Sequence, residues 1–367
     1  MSEQADTLLE NRARIGRIGI IGAGAVGSAL ALALAERGAR VVAVCALRRD
    51  NAVRLAKRIV GCAAVEAPGE VVALSDLVFI ATPDDTLSSI AALPIWRKGQ
   101  GVIHLSGAVS VERLAAASRL GARIAALHPL MTFPAQLREE PPEAVLARLA
   151  GVTWALEAAN AQLAETLRGL VVLLDGRVIM LTAADRAPYH LAAVLASNYV
   201  VGLLGAAVAL WEGFGVAPDE ALAALLPLTR ASVENLDEVG LPDALTGPLA
   251  RGDLSTIATH LAWLRTHTLP APQSQQPPSS QQSSDASPSA ERPKDDHEEA
   301  NTTREETLAA LNEAYIALAR LTLPLAQAKG TLSDEMAQKI RAALTLQQVY
   351  AALNRPRPAD AGSGQAQ

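Results

Sequence analysis

The chain has 367 residues, of which 50% are hydrophobic and 19% charged, and its formal net charge is −6 at pH 7. That length has room for two domains with real cores. The mildly acidic balance, with no basic run interleaved with aromatics, excludes nucleic acid as a partner. The two cysteines, Cys45 and Cys62, lack metal-ligand spacing, so no metal site is expected and the protein reads as cytoplasmic.

Residues 1–14 are polar and mixed in charge, neither a signal peptide nor a transit peptide, and are expected to be disordered. The first predicted element is an apolar strand, Ile18 to Ile21, running into Gly22-x-Gly24-x-x-Gly27 and then an alanine- and leucine-rich helix that ends at Gly38. Each glycine has a physical task in a dinucleotide-binding turn: Gly22 turns the chain, Gly24 admits the pyrophosphate, and Gly27 lets helix and strand pack closely. Ala25 and Val26 add backbone N–H groups at the positive end of the helix. The second strand, Val41 to Cys45, should end at the adenosine ribose. It carries no carboxylate there for the 2′-hydroxyl of NAD; Arg48 and Arg49 follow instead, matching a 2′-phosphate and hence NADP(H). The alternative is that both arginines solvate a loop, with Asp50 partly neutralising them.

A charged helix is predicted over 50–60 and a short strand over 63–66. Further strands follow at 77–81, ending in Thr82-Pro83-Asp84-Asp85, at 101–105, ending in Ser106-Gly107, and at 122–127, ending in His128-Pro129. Strands alternating with helices, several as continuous apolar runs, predict a doubly wound parallel sheet, an α/β Rossmann domain over 15–150. Ligands of such sheets bind beyond the carboxyl ends of the strands, where Thr82, Ser106 and His128 all fall. His128 either exchanges protons there or bonds a loop carbonyl.

Residues 151–183 are expected to form a connecting α/β segment (Val152–Leu156 and Val171–Leu174) before a helical domain over 184–345. From Ala187 to Trp211 no Asp, Glu, Lys or Arg occurs, a length that could span a bilayer. Its polar cluster, Tyr189, His190, Ser197 and Asn198, argues against the membrane and for a central helix buried in a helical core or a dimer. Positions 190, 194, 197 and 198 would share one helix face, lining a cofactor cleft or a buried hydrogen-bond network. Further on, Arg251 either anchors an anionic substrate or pairs with Asp253, and Asp253 or Ser255 caps the next helix. Residues 269–303 are Pro-, Ser- and Gln-rich and then charged, predicting a disordered insertion; a helix resumes over 305–329, and 356–367 should form a disordered tail.

Taken in order, Gly-Ala-Gly-Ala-Val-Gly, Thr82-Pro-Asp-Asp, His104-Leu-Ser-Gly, His128-Pro-Leu-Met-Thr-Phe, Tyr189-His-Leu-Ala-Ala-Val-Leu-Ala-Ser-Asn198 and Ala244-Leu-Thr-Gly-Pro-Leu-Ala-Arg-Gly-Asp253 resemble the Rossmann-like proteins that carry a C-terminal domain of unknown function 2520. The first half is also similar to pyrroline-5-carboxylate reductase, deazaflavin-dependent NADP oxidoreductase and prephenate dehydrogenases. The resemblance implies an all-α, 6-phosphogluconate-dehydrogenase-like C-terminal domain, NADP(H) as cofactor and a homodimer. It names no substrate. A lysine often precedes the Tyr-His pair in that family, and Arg186 departs from this, which leaves proton work to Tyr189, His190 or His128. The expected function is hydride transfer to or from a small carbonyl, imine or hydroxyl compound. The rivals are a non-catalytic NADPH-binding or sensing protein and a prephenate-type oxidative decarboxylase, for which only Arg251 and Arg186 could meet the carboxylates.

Overall fold

The computed structural model describes residues 15–267 and 296–353; for 296–306, 309, 352 and 353 it describes the backbone alone. Contacts divide the chain into two compact units, residues 1–199 and 200–367. The first holds an eight-stranded sheet of order β3-β2-β1-β4-β5-β6-β7-β8. Its strands are β1 (Arg17–Ile21), β2 (Arg40–Cys45), β3 (Ala63–Ala64), β4 (Leu77–Ile80), β5 (Gly101–His104), β6 (Arg123–Pro129), β7 (Thr153–Ala158) and β8 (Arg177–Met180). Between them run α1 (Ala25–Glu36), α2 (Arg49–Ala56), α3 (Pro68–Leu74), α4 (Leu87–Ala91), α5 (Ala115–Arg119), α6 (Pro142–Leu149) and α7 (Ala161–Leu173). Every residue of β4 and β5 is buried, as continuous apolar strands covered on both faces must be. Two apolar clusters fill the two sides, one around Ile18, Leu32, Phe79 and Trp154 and the other around Val78, Val102 and Leu114.

The expected parallel sheet holds from β3 through β6 and then reverses, because β7 pairs antiparallel with β6. The chain leaving β6 re-enters at the edge it left, where Leu130 N donates to Thr153 O at 2.8 Å. The connecting segment is therefore an extension of the same sheet. Within it Val171–Leu174 closes the helix α7. Leu163, Leu167, Leu170 and Val171 recur at helical spacing and are all buried, and β8 follows later.

The apolar run also differs from expectation. Residues Ala183–Glu212 are long and apolar enough to cross a membrane, and none of their most apolar 18-residue stretch is buried within the chain. The run is two helices, α8 (Arg186–Ala196) and α9 (Asn198–Glu212), broken at Ser197 with φ −129 and ψ −74. Ser197 Oγ donates to Ala193 O at 2.6 Å, the back-bonding that bends helices. The single face proposed for 190, 194, 197 and 198 is thus interrupted.

The second unit continues with α10 (Pro218–Val239), α11 (Gly247–Arg251), α12 (Leu254–His267), α13 (Asp296–Ala328) and α14 (Asp334–Leu353). Asp253 caps α12, accepting from Thr256 N at 3.1 Å. Ile257, Leu261, Ile316, Leu323, Ile340 and Leu344 form the core of α12, α13 and α14. Because α13 starts at Asp296, residues 296–303 are helical, against the expected disorder. The rest of the proposed insertion, residues 1–14 and the tail over 356–367 lie outside the described residues.

Candidate functional site

The glycine turn leaves β1 at the carboxyl edge of the sheet. Gly22 sits at φ +108, and its N–H donates to Cys45 O at 2.9 Å, which fixes the end of β2 beside the turn. A Cβ on Gly27 would lie 2.1 Å from Gly22 O, so only glycine permits this approach of helix to strand. A Cβ on Gly24 would meet nothing within 4 Å, which leaves the open space a pyrophosphate needs. Gly24 caps α1 without a side-chain hydrogen bond, so the first N–H groups, of Ala25 and Val26 among others, remain for an anion. Val26 turns its side chain onto the apolar core. The turn therefore fits a dinucleotide.

Arg48 and Arg49 stand exposed just past β2. Arg48 is the N-cap of α2, and Arg49 Nη1 lies 3.0 Å from Glu66 Oε1, so the carboxylate that meets Arg49 is Glu66. This pair is open to solvent and weakly held. Thr82 and Pro83 follow β4. Thr86 Oγ1 donates to Pro83 O at 2.7 Å, leaving the Thr82 hydroxyl to donate to Thr86 at 2.8 Å.

Beyond β5 and β6 a polar cluster closes the same edge. Ser106 Oγ donates to Asp84 Oδ2 at 2.8 Å and accepts from Ala108 N and Val109 N. Ser106 N donates to His104 Nδ1 at 3.2 Å, and the opposite ring nitrogen, Nε2, lies 3.3 Å from Ser110 O, so His104 carries its proton on Nε2. His104 is 0% exposed. Burial, with the charge of Arg186, pushes it down to about 4. His128 Nδ1 lies 2.7 Å from Tyr189 Oη with the rings edge to face, and the imidazole packs on Gly107, where a Cβ would clash at 2.8 Å. Burial, then His190 and Arg186, push His128 down to about 4, while burial raises Tyr189 to about 12. Both partners are therefore neutral at physiological pH.

Behind the pair lies an ion pair that the sequence did not disclose. Arg186 Nε donates to Glu157 Oε2 at 2.8 Å, and the two residues are 2% and 7% exposed. Arg186 also donates to Ser106 O at 3.3 Å and Ala126 O at 3.5 Å, and Glu157 accepts from Ser110 Oγ at 2.8 Å and Val111 N at 3.3 Å. Arg186 is consequently unavailable to a substrate carboxylate, which corrects its candidacy in the decarboxylase alternative. A lone carboxylate in the apolar stretch Val152-Thr-Trp-Ala-Leu-Glu157 was the available signal.

Of the expected site residues, Ser106, His128 and Tyr189 are brought together. His190 makes no hydrogen bond among the described residues but lies near enough to His128 to oppose its protonation. Ser197 and Asn198 bond each other at 3.0 Å and neither bonds His128 or Tyr189. Arg251 ends α11, and its charge favours the carboxylate form of Asp253. Among the described residues no group of three or more His, Cys, Asp or Glu side chains is placed to hold a metal ion.

A glycine turn opening a mostly parallel sheet, with a helical region after it, defines a Rossmann-like protein. Family profiles match a Rossmann-like domain over residues 2–129 and the domain of unknown function 2520 over 152–276, together more than half of the chain. The chain belongs to the Rossmann-like proteins that carry this domain. Among solved structures it is similar to a Bacteroides fragilis protein provisionally assigned as an NADP oxidoreductase (23% identity, TM-score 0.55, covering 68% of this chain and 92% of that one). It also resembles protein TM1727 of Thermotoga maritima (21%, 0.53, 68% and 90%) and 1-pyrroline-5-carboxylate reductase of Streptococcus pyogenes (18%, 0.51, 69% and 92%). At these identities the likeness is one of fold. No curated protein matches the chain.

Proposed function

We propose that the protein is an NADP(H)-dependent oxidoreductase that moves hydride to or from a small carbonyl, imine or hydroxyl compound. The observation that carries this reading is the hydrogen-bonded His128–Tyr189 pair, set on the carboxyl edge of the sheet that also bears the glycine turn. A convergence of polar side chains at that edge favours catalysis over mere nucleotide sensing.

The turn of Gly22, Gly24, Ala25, Val26 and Gly27 would hold the pyrophosphate, Gly22 by shaping it, since its N–H is taken by Cys45 O, and Arg48 and Arg49 would hold the 2′-phosphate. Thr82 and Pro83 would flank the nicotinamide, with Ser106, His128, Tyr189, His190, Ser197 and Asn198 around the substrate. The bound dinucleotide supplies or takes the hydride; the chain supplies position and hydrogen bonds. A neutral imidazole and a neutral phenol that share one hydrogen bond always leave one further hydrogen. Either Tyr189 donates to Nδ1 and the Nε2 proton is free, or Nδ1 donates and the hydroxyl proton is free. In both arrangements the pair can donate to a substrate oxygen or nitrogen and polarise the reacting bond. We also propose a cytoplasmic homodimer, in which a second copy covers the exposed apolar run of α8 and α9.

Fluorescence titration of the whole protein with NADPH and NADH tests the cofactor assignment. An R48A/R49A variant should weaken NADPH by about tenfold or more and leave NADH unchanged. Equal weakening of both nucleotides, or no binding of either to the wild type, would remove the basis of the proposal.

A further inference from the structure

The charges around His128 bear on which substrates the proposed oxidoreductase takes. Among the described residues, the ionic groups that act on His104 or His128 are Arg186, Glu157, Asp84 and His190, and His104 itself acts on His128. Arg186 is spent: its three nitrogens go to Glu157 and to the carbonyls of Ser106 and Ala126, and it is buried with its counter-charge. Asp84 is different. It is exposed, and Ser106 Oγ pins one carboxylate oxygen at 2.8 Å. The other accepts no hydrogen bond from any described residue. Its charge acts on both imidazoles, favouring the protonated form of each. With Glu157 and Arg186 cancelling, the fixed charge left acting on the two imidazoles is that of Asp84.

We propose that, on the oxidoreductase reading, this site selects by charge: it takes a protonated imine, or else a neutral carbonyl compound, and rejects carboxylates, with Asp84 setting the preference. A substrate carboxylate would face a like charge at Asp84, and the one guanidinium whose charge acts on His128 among the described residues, Arg186, is already spent on Glu157, whereas an iminium nitrogen is attracted. The chemistry agrees. A ketone reduced by hydride must gain a proton on oxygen, and neither neutral His128 nor neutral Tyr189 gives one up cheaply. A protonated imine accepts the hydride at carbon while the C=N π pair settles on nitrogen. Amine and oxidised dinucleotide then form with no proton drawn from the protein.

The test is calorimetric titration of the full-length protein, saturated with NADP+, with two five-membered-ring probes: 2-methylpyrrolidine, a cation, and cyclopentanecarboxylate, an anion. The wild type should bind the cation at least about tenfold more tightly. Asp84→Asn keeps an acceptor for Ser106 and should lose most of that ratio. With NADPH, 2-methyl-1-pyrroline should be reduced faster than 1-pyrroline-5-carboxylate, again with discrimination lost in the variant. Equal binding of the two probes, preference for the anion, or a ratio untouched by Asp84→Asn each overturns charge selection. Failure to bind NADP+ at all is a different result, which sinks the oxidoreductase reading itself.

Discussion

His104 and His128 show how placement decides the chemistry of a residue. A histidine free in water titrates near 6.5; both of these are pushed down to about 4, chiefly by burial. Between those limits the unfolded chain binds protons that the folded chain refuses, so folding stability rises with pH across the window from about 4 to 6.5 and falls as acid is added. Below about 4 both states are protonated and these residues add no further slope. His104 bonds only within the protein, so His104→Gln should reduce the proton uptake on unfolding in this window by about one. Urea unfolding at a series of pH values between 4 and 7 measures that uptake. A slope unchanged by the substitution would show that His104 is already protonated in the folded protein. Tyr189 is the complement: burial holds its proton on, up to about 12.

At the level of elements, the Glu157–Arg186 pair ties β7 to the first turn of α8, and Tyr189 lies one turn further along the same helix. Glu157→Gln would leave a buried guanidinium without its counter-charge, a loss of about 3–5 kcal/mol. A double variant, Glu157→Leu with Arg186→Met, should recover much of it, since paired apolar groups of similar size replace buried ion pairs well. Chemical denaturation separates the cases; a single variant within about 1 kcal/mol of wild type would place the pair in effectively aqueous surroundings. The glycine turn and the apolar strands up to β6 were legible because each follows from local spacing. Thr82, Ser106 and His128 were legible as strand ends. What was not legible depends on tertiary pairing. Glu157 reaches Arg186, 29 positions further on, only because β7 runs backwards beside β6, and no local spacing announces that reversal. The Ser197 break was hidden too, since its cause is a hydroxyl turned back on Ala193 in a stretch whose apolar character continues on both sides.

For the molecule as a whole, the notable surface is the apolar run. Leu191, Leu195 and Tyr199 are all more than half exposed, and large apolar side chains grouped in the open mark interaction surfaces. If a second copy covers it, light scattering of protein purified without detergent should give twice 38.3 kDa, and Leu195→Glu should shift the mass toward one copy. A wild-type monomer at micromolar concentration would count against the homodimer. The polar cluster has a different relation to the chain. Asp84, Ser106, His128, Glu157, Arg186 and Tyr189 all belong to the first unit, which ends at Tyr199. Domains tend to fold in the order in which the ribosome releases them. The charge pattern proposed to choose the substrate would therefore be complete while residues 200–367 are still being made. Once the residues up to Tyr199 have left the ribosome, they would already hold their ion pair buried, with α8 still waiting for cover.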